Sequence, residues 1–250
     1  MRNIWIIAKR EFDHYFITPI AYVVAFMILL TTGIIFAINI LYFIQNAFQA
    51  FGQVPDISPI TGAFGFLLVL TIPAITMRLL ADEARTGTLE LLLTAPVRDF
   101  ELVAGKWLGG FLFLLTVIAV TLVYPLILHF VLVSPGIDQQ LLISSYLGVI
   151  LVAASFLALG VGISAVFTNQ VAAFFVTLCT FIFLWWLIGF PAQLLSGTAG
   201  EVFRYLDMKT HFYDALNAGS IGLSNLIYFF SLIALGLFIG TTAIETRRWR

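Results

Sequence analysis

Apolar positions fall into six long runs, roughly 21–44, 60–77, 107–133, 143–167, 171–190 and 223–244. Each approaches or exceeds the ~20 residues that carry a helix across the hydrocarbon core. Leu, Ile, Phe, Val and Ala dominate without strict alternation, so the runs predict helices rather than barrel strands. The stretch before them has a different period. Ile4, Ile7, Ala8, Phe12 and Tyr15 share one side of a helix, and Lys9, Arg10, Asp13 and His14 line the other. This predicts an interfacial elbow helix over 1–19, stopped by Thr18-Pro19. The first long run exceeds a signal-peptide core, so the first span is expected to be retained. The expected fold is an all-α integral membrane protein, one transmembrane domain over 1–250.

One polar segment interrupts this pattern. Residues 78–106 hold nine charged side chains: Arg78, Asp82, Glu83, Arg85, Glu90, Arg98, Asp99, Glu101 and Lys106. The second span is expected to continue to about Arg85, with Gly87 breaking the helix. Thr88 can cap a short new helix with Glu90 in its first turn and Leu89, Leu92 and Leu93 on one face. Pro96 ends that element, and Asp99 is a plausible cap for the next.

Composition agrees with the pattern. The chain is 61% hydrophobic and 10% charged, against about 25% charged in soluble domains. A bilayer must solvate much of this surface. Net charge is -1 with no basic stripe, so no nucleic-acid partner is expected. Six spans with both ends on one side put ten of the twelve basic residues there. The positive-inside rule makes that side the cytoplasm, and Trp5, Trp107 and Trp249 fall near its interface.

The spans are nearly free of ionisable groups, which argues against a proton- or sodium-coupled carrier. His129, near the outer end of the third span, reads as interfacial, with a substrate role as the alternative. Pro73 and Pro125 are expected to bend their helices. Ala154, Ala158 and Gly162 follow small-xxx-small spacing, suited to packing within the chain or to a dimer seam. Cys179 reads as a small hydrophobe in a packed helix. Clusters of Cys, Met or His that would hold a metal are missing from the sequence.

The run Met77-Arg78-Leu79-Leu80-Ala81-Asp82-Glu83-Ala84-Arg85-Thr86-Gly87-Thr88-Leu89-Glu90-Leu91-Leu92-Leu93-Thr94-Ala95-Pro96, then Gly105-Lys106, resembles the signature of ABC type-2 transporter permeases. The tail Phe212-Tyr213-Asp214-Ala215-Leu216, Gly219 and Leu226-Ile227-Tyr228-Phe229 is similar to the gliding-motility-type subgroup. The resemblance implies an elbow helix, six spans, a coupling helix between the second and third, and short outer helices before the sixth. It implies a separate cytoplasmic ABC ATPase subunit that binds ATP and Mg. It also implies a second permease chain, identical or related, and a possible outer accessory protein. Arg78, Glu83, Arg85, Thr88 and Glu90 would then couple to the ATPase, and export through a bacterial or archaeal cell membrane is the expected direction. The chain itself is expected to be no enzyme and to bind no cofactor. A P-loop needs G-x-x-x-x-G-K-[ST], whereas Gly105-Lys106 is followed by Trp107 and preceded at the first glycine position by Phe100.

Residues 191–222 form the longest outer segment, punctuated by Gly197, Gly200 and Gly219. Phe212 and Tyr213 are candidate gate residues there, with a structural lid as the alternative. Two rival functions are a non-transporting accessory subunit and an intramembrane serine protease. The protease would use Ser164 of Gly162-Ile163-Ser164-Ala165, but the sixth run offers no histidine base.

Overall fold

The computed structural model describes residues 2–45, 56–88, 97–132, 136–195 and 197–248. The described residues are helical, without strands, and six helical stretches are long and apolar enough to span a membrane. α1 (Arg2–Tyr15) precedes α2 (Pro19–Gln45), the first span. α3 (Ser58–Thr76) and the short α4 (Ala81–Thr86) make the second. α5 (Asp99–Thr121) and α6 (Val123–Ile127) make the third. α7 (Gln139–Val166) is the fourth, α8 (Gln170–Ile182) begins the fifth, and α11 (Leu223–Arg248) is the sixth. α9 (Phe190–Leu194) completes the fifth, and between the last two lie α10 (Thr198–Leu206), a π-helical turn Thr210–Ala215 and a 3-10 turn Leu216–Ala218.

The spans differ sharply in burial. In the most apolar stretch of α7, 83% of residues are buried, against 17% for α2. α7 is therefore the hub, and α2 turns Phe26, Leu30, Ile34 and Ile38 outward, as a lipid-facing helix does. Small residues let α7 and α11 touch closely. Cβ atoms added at Gly162 or Gly236 would run into the facing backbone, which includes Ala158. The small-residue stripe of α7 thus packs within the chain. Cys179, expected in a packed position, is instead exposed on α8.

Local chemistry sets the boundaries. Asp138 caps α7 by accepting from the Gln140 and Leu141 amides, and Asn169 caps α8 likewise. The second span runs on to Thr86 as expected, but a break at Met77–Leu80 separates α3 from α4. Pro73, in the last turn of α3, lacks the amide that would tie this turn back. Ser164 of α7 then accepts hydrogen bonds from the freed amides of Leu80 (3.2 Å) and Ala81 (3.0 Å). Gly87 ends α4 in the left-handed region at φ 75°. Asp99 lies inside α5 rather than capping it, and the Glu101 carboxylate accepts the Arg98 amide at 3.2 Å instead. Gly200 also departs from expectation: it lies inside α10, where Leu195 O leaves no room for a Cβ.

Both termini lie at one end of the bundle. Asn3 of α1 donates to Glu101 of α5 at 3.0 Å, and Arg248 of α11 pairs with Asp99 of α5 at 3.2 Å. This is the terminal end below.

Candidate functional site

The terminal end holds a buried ion cluster centred on Lys106. α1 crosses α5 at two glycines four residues apart, which share a helix face. A methyl on Gly109 would come within 2.6 Å of Glu11 Cβ, and one on Gly105 within 2.7 Å of Ile7 Cβ. That close approach sets Glu11 beside Lys106. The Lys106 ammonium donates to Glu11 Oε1 at 3.1 Å and to Glu83 Oε1 at 2.8 Å. Arg10 reaches Glu11 Oε1 at 3.0 Å and lies 3.9 Å from Glu83 Oε1. The Lys106 side chain is 1% exposed. A charge so buried costs several kcal/mol unless it is well paired, and here two carboxylates pair it.

The electrostatics follow. Burial alone would push the Glu11 carboxyl up, but Lys106 and Arg10 outweigh it and hold it below its ordinary value. Tyr15, one turn later, is pushed well up by burial and by the Glu11 charge. At the rim, the Glu101 carboxylate accepts from the Asn3 side-chain amide and the Arg98 backbone N–H. The result is a knot of four side chains tying α1, α4 and α5 together. Since Ser164 also holds the start of α4, α7 is joined to it.

The coupling residues expected from sequence divide in three. Glu83 is in the knot. Arg78 is exposed and lines an adjoining cleft of ≈ 560 Å³. Arg85 pairs with Asp82 at 3.0 Å on the exposed side of α4, an arrangement worth little in water. Thr88 shares a hydrogen bond of 3.0 Å with Thr86, its hydroxyl turned back over α4. Glu90 and the rest of the expected short helix, Leu89 to Pro96, lie outside the described residues. Sequence reasoning missed Lys106, Glu11 and Arg10 as a site. The signal was there: a single lysine entering an apolar run, next to a glycine pair that invites a neighbouring helix.

The opposite end is closed without ion pairs among the described residues. Phe212 is fully buried, wedged against Gly65 of α3 and Gly148 of α7. Its ring lies 5.7 Å from that of Trp185. Tyr213 donates to Gly62 O at 2.8 Å, and burial pushes its phenol up. Asn217 donates to Ser58 O at 3.0 Å, and its Oδ1 accepts from Thr61 at 2.6 Å. His211 is bracketed by Asn225 Oδ1 and Tyr205 O, both at 2.7 Å, and stacks on Tyr228 at 4.1 Å. Burial also pushes the Asp207 carboxyl up, against hydrogen bonds from the Lys209 amide and the Thr210 hydroxyl. So the described part of 191–222 folds inward through packing and hydrogen bonds, with no ion pair among the described residues.

The protease reading finds no support here. Ser164 is fully buried and accepts the two α4 amides. His129 lies in the π-helical turn Leu128–Leu132, where its Nδ1 accepts from the Ile137 amide at 3.3 Å, beside Gln139.

No curated protein matches the chain as a relative. The family model described as ABC-2 family transporter protein matches residues 5–239, taking in both the knot and the folded outer segment. This chain belongs to the ABC-2 family of transporter proteins.

Proposed function

We propose that this chain is the membrane-spanning permease subunit of an ATP-driven ABC exporter. Its terminal end faces the cytoplasm, a reading supported by the basic residues gathered there. A separate ATPase subunit, holding ATP and Mg, docks on the segment around Glu83 and Glu90. A second permease chain completes the pathway, and the tail favours the gliding-motility-type subgroup within the family. Phe212 and Tyr213 form the outer gate.

The observation that carries this reading is the knot. A partner that grips the segment after α4 pulls on Glu83, and Glu83 is tied through Lys106 to both α5 and α1. Docking next to α4 thereby moves two helices of the bundle and α1 together. ATP drives the change only through its different affinities for the two states. The driven states are an inward-open and an outward-open arrangement of the spans.

The test is purification of the tagged full chain in mild detergent with its neighbouring genes co-expressed. An ATPase subunit bearing a P-loop is expected to come down with it and to hydrolyse ATP faster in the complex. Glu90→Arg is expected to abolish that stimulation while leaving membrane insertion intact. A chain that purifies alone supports the non-transporting accessory subunit instead, and a Glu90→Arg complex with full stimulation removes Glu90 from the docking segment.

A further inference from the structure

The cleft beside the knot lies between the second half of α1, the start of α2 and the end of α3. Its volume of ≈ 560 Å³ falls in the range of small-ligand pockets. Its lining combines apolar side chains, Ile20, Ala74 and Ile75 among them, with charged groups of α1, α4 and α5.

Two of those groups have polar atoms without a partner among the described residues. Arg78 has no hydrogen-bond or ion-pair partner among the described residues. Glu83 gives Oε1 to Lys106, but its Oε2 is buried without any donor. A buried acceptor left unpaired is costly, and more so when charged. The lining carries the cations Arg10, Arg78 and Lys106 against Glu11, Asp13, Asp82 and Glu83, with His14 besides. Acids outnumber bases by one, so a simple anion is not the matching ligand. The matching ligand carries an anion for Arg78, an N–H donor for Glu83, and an apolar chain for the apolar side chains.

We propose that this cleft binds an ethanolamine phospholipid from the membrane leaflet at the terminal end. Its phosphate sits on Arg78, its primary ammonium supplies the missing donor to Glu83 Oε2, and an acyl chain lies along Ile20 and Ile75. The lipid thereby bridges the elbow helix to the second span, next to the knot. The proposal rests on the membrane-spanning fold and not on the ATPase, so it stands or falls separately from the proposed function.

The test is native mass spectrometry of the full chain released from nanodiscs holding equal amounts of phosphatidylethanolamine, phosphatidylglycerol and phosphatidylcholine. Phosphatidylcholine keeps the phosphate but has no ammonium N–H, and phosphatidylglycerol has no cation. Retention of the ethanolamine lipid is expected to exceed both by about tenfold, the scale of one charge-assisted contact. Arg78→Gln, which breaks no protein contact, is expected to lower that retention by about tenfold. Ala74→Phe, which fills space beside the apolar side chains, is expected to lower it comparably. Soluble phosphoethanolamine at the same concentration is expected not to compete. Equal retention of the three lipids, retention unchanged by Arg78→Gln and Ala74→Phe, or full competition by the soluble headgroup would each overturn the proposal.

Discussion

At the terminal end, Lys106 draws α1, α4 and α5 together with charge; at the opposite end, Phe212, His211 and Asn217 draw the outer segment inward with packing and neutral hydrogen bonds. The difference matters because the two kinds of closure respond to different forces. Burying an ion pair returns in Coulomb energy roughly what desolvation takes, so the net gain over a neutral core is small. What such a pair supplies is a penalty for breaking it. Apolar burial at Phe212 has no comparable opposing term and adds directly to stability. The knot is therefore suited to holding elements in register while they move, and the packing around Phe212 to keeping the outer segment closed until a driven change opens it.

The comparison breaks most visibly at Phe212. Phe212→Ala removes a fully buried ring between two spans and is expected to lower the unfolding free energy by about 4 kcal/mol. Thermal unfolding in detergent measures it, and the loss is expected to be the same at low and high salt. A salt-dependent loss would mean the packing around Phe212 is not neutral.

Lys106→Met comes next, at about 3 kcal/mol, because it removes the buried cation and leaves Glu11 and Glu83 facing each other with only the half-exposed Arg10 beside them. Adding Glu11→Gln and Glu83→Gln to Lys106→Met is expected to recover most of that loss, since no buried charge is then left alone. No recovery in the triple variant would show that Lys106 acts by packing alone.

The smallest effect is that of pH. Glu11 has a folded value depressed below its ordinary 4.5. A depressed acid contributes stability that is present above its unfolded value and is lost as pH falls through the lower folded value. The knot is thus expected to be insensitive from pH 7 to about 5 and to loosen below the ordinary glutamate range. The measurement is the difference in unfolding midpoint between the wild type and Glu11→Gln. It should be constant above pH 5 and shrink below it. A difference that shrinks near neutrality would remove Glu11 from the knot.

Much of the fold was legible in sequence because hydropathy and helical period are local signals. The six spans, the helical period of the first residues and the break at Gly87 follow from neighbours a few residues apart, whereas α1 ends at Tyr15, ahead of the expected stop, and Pro19 opens α2. The interruption at Met77–Leu80 was not legible, since the hydroxyl that stabilises it belongs to Ser164 on another span. Lys106 was visible as part of a motif, but its role depends on Glu11, 95 residues away. Cys179 shows the same limit: an apolar run does not reveal which of its faces meets the bundle and which meets lipid. The buried position of Phe212 likewise rests on room left at Gly65 and Gly148.

The central claim is that the knot makes α1 and α4 one mechanical body, so that a pull on the coupling segment reaches the elbow. Spin labels at positions 5 and 85, both exposed, with Cys179→Ala to remove the exposed native thiol, report the distance between the two helices by pulsed dipolar spectroscopy. In the complex with its ATPase, that distance is expected to stay the same with and without trapped ATP, and to change on ATP binding only in Lys106→Met. A wild-type distance that shifts with ATP as much as in Lys106→Met would contradict the account.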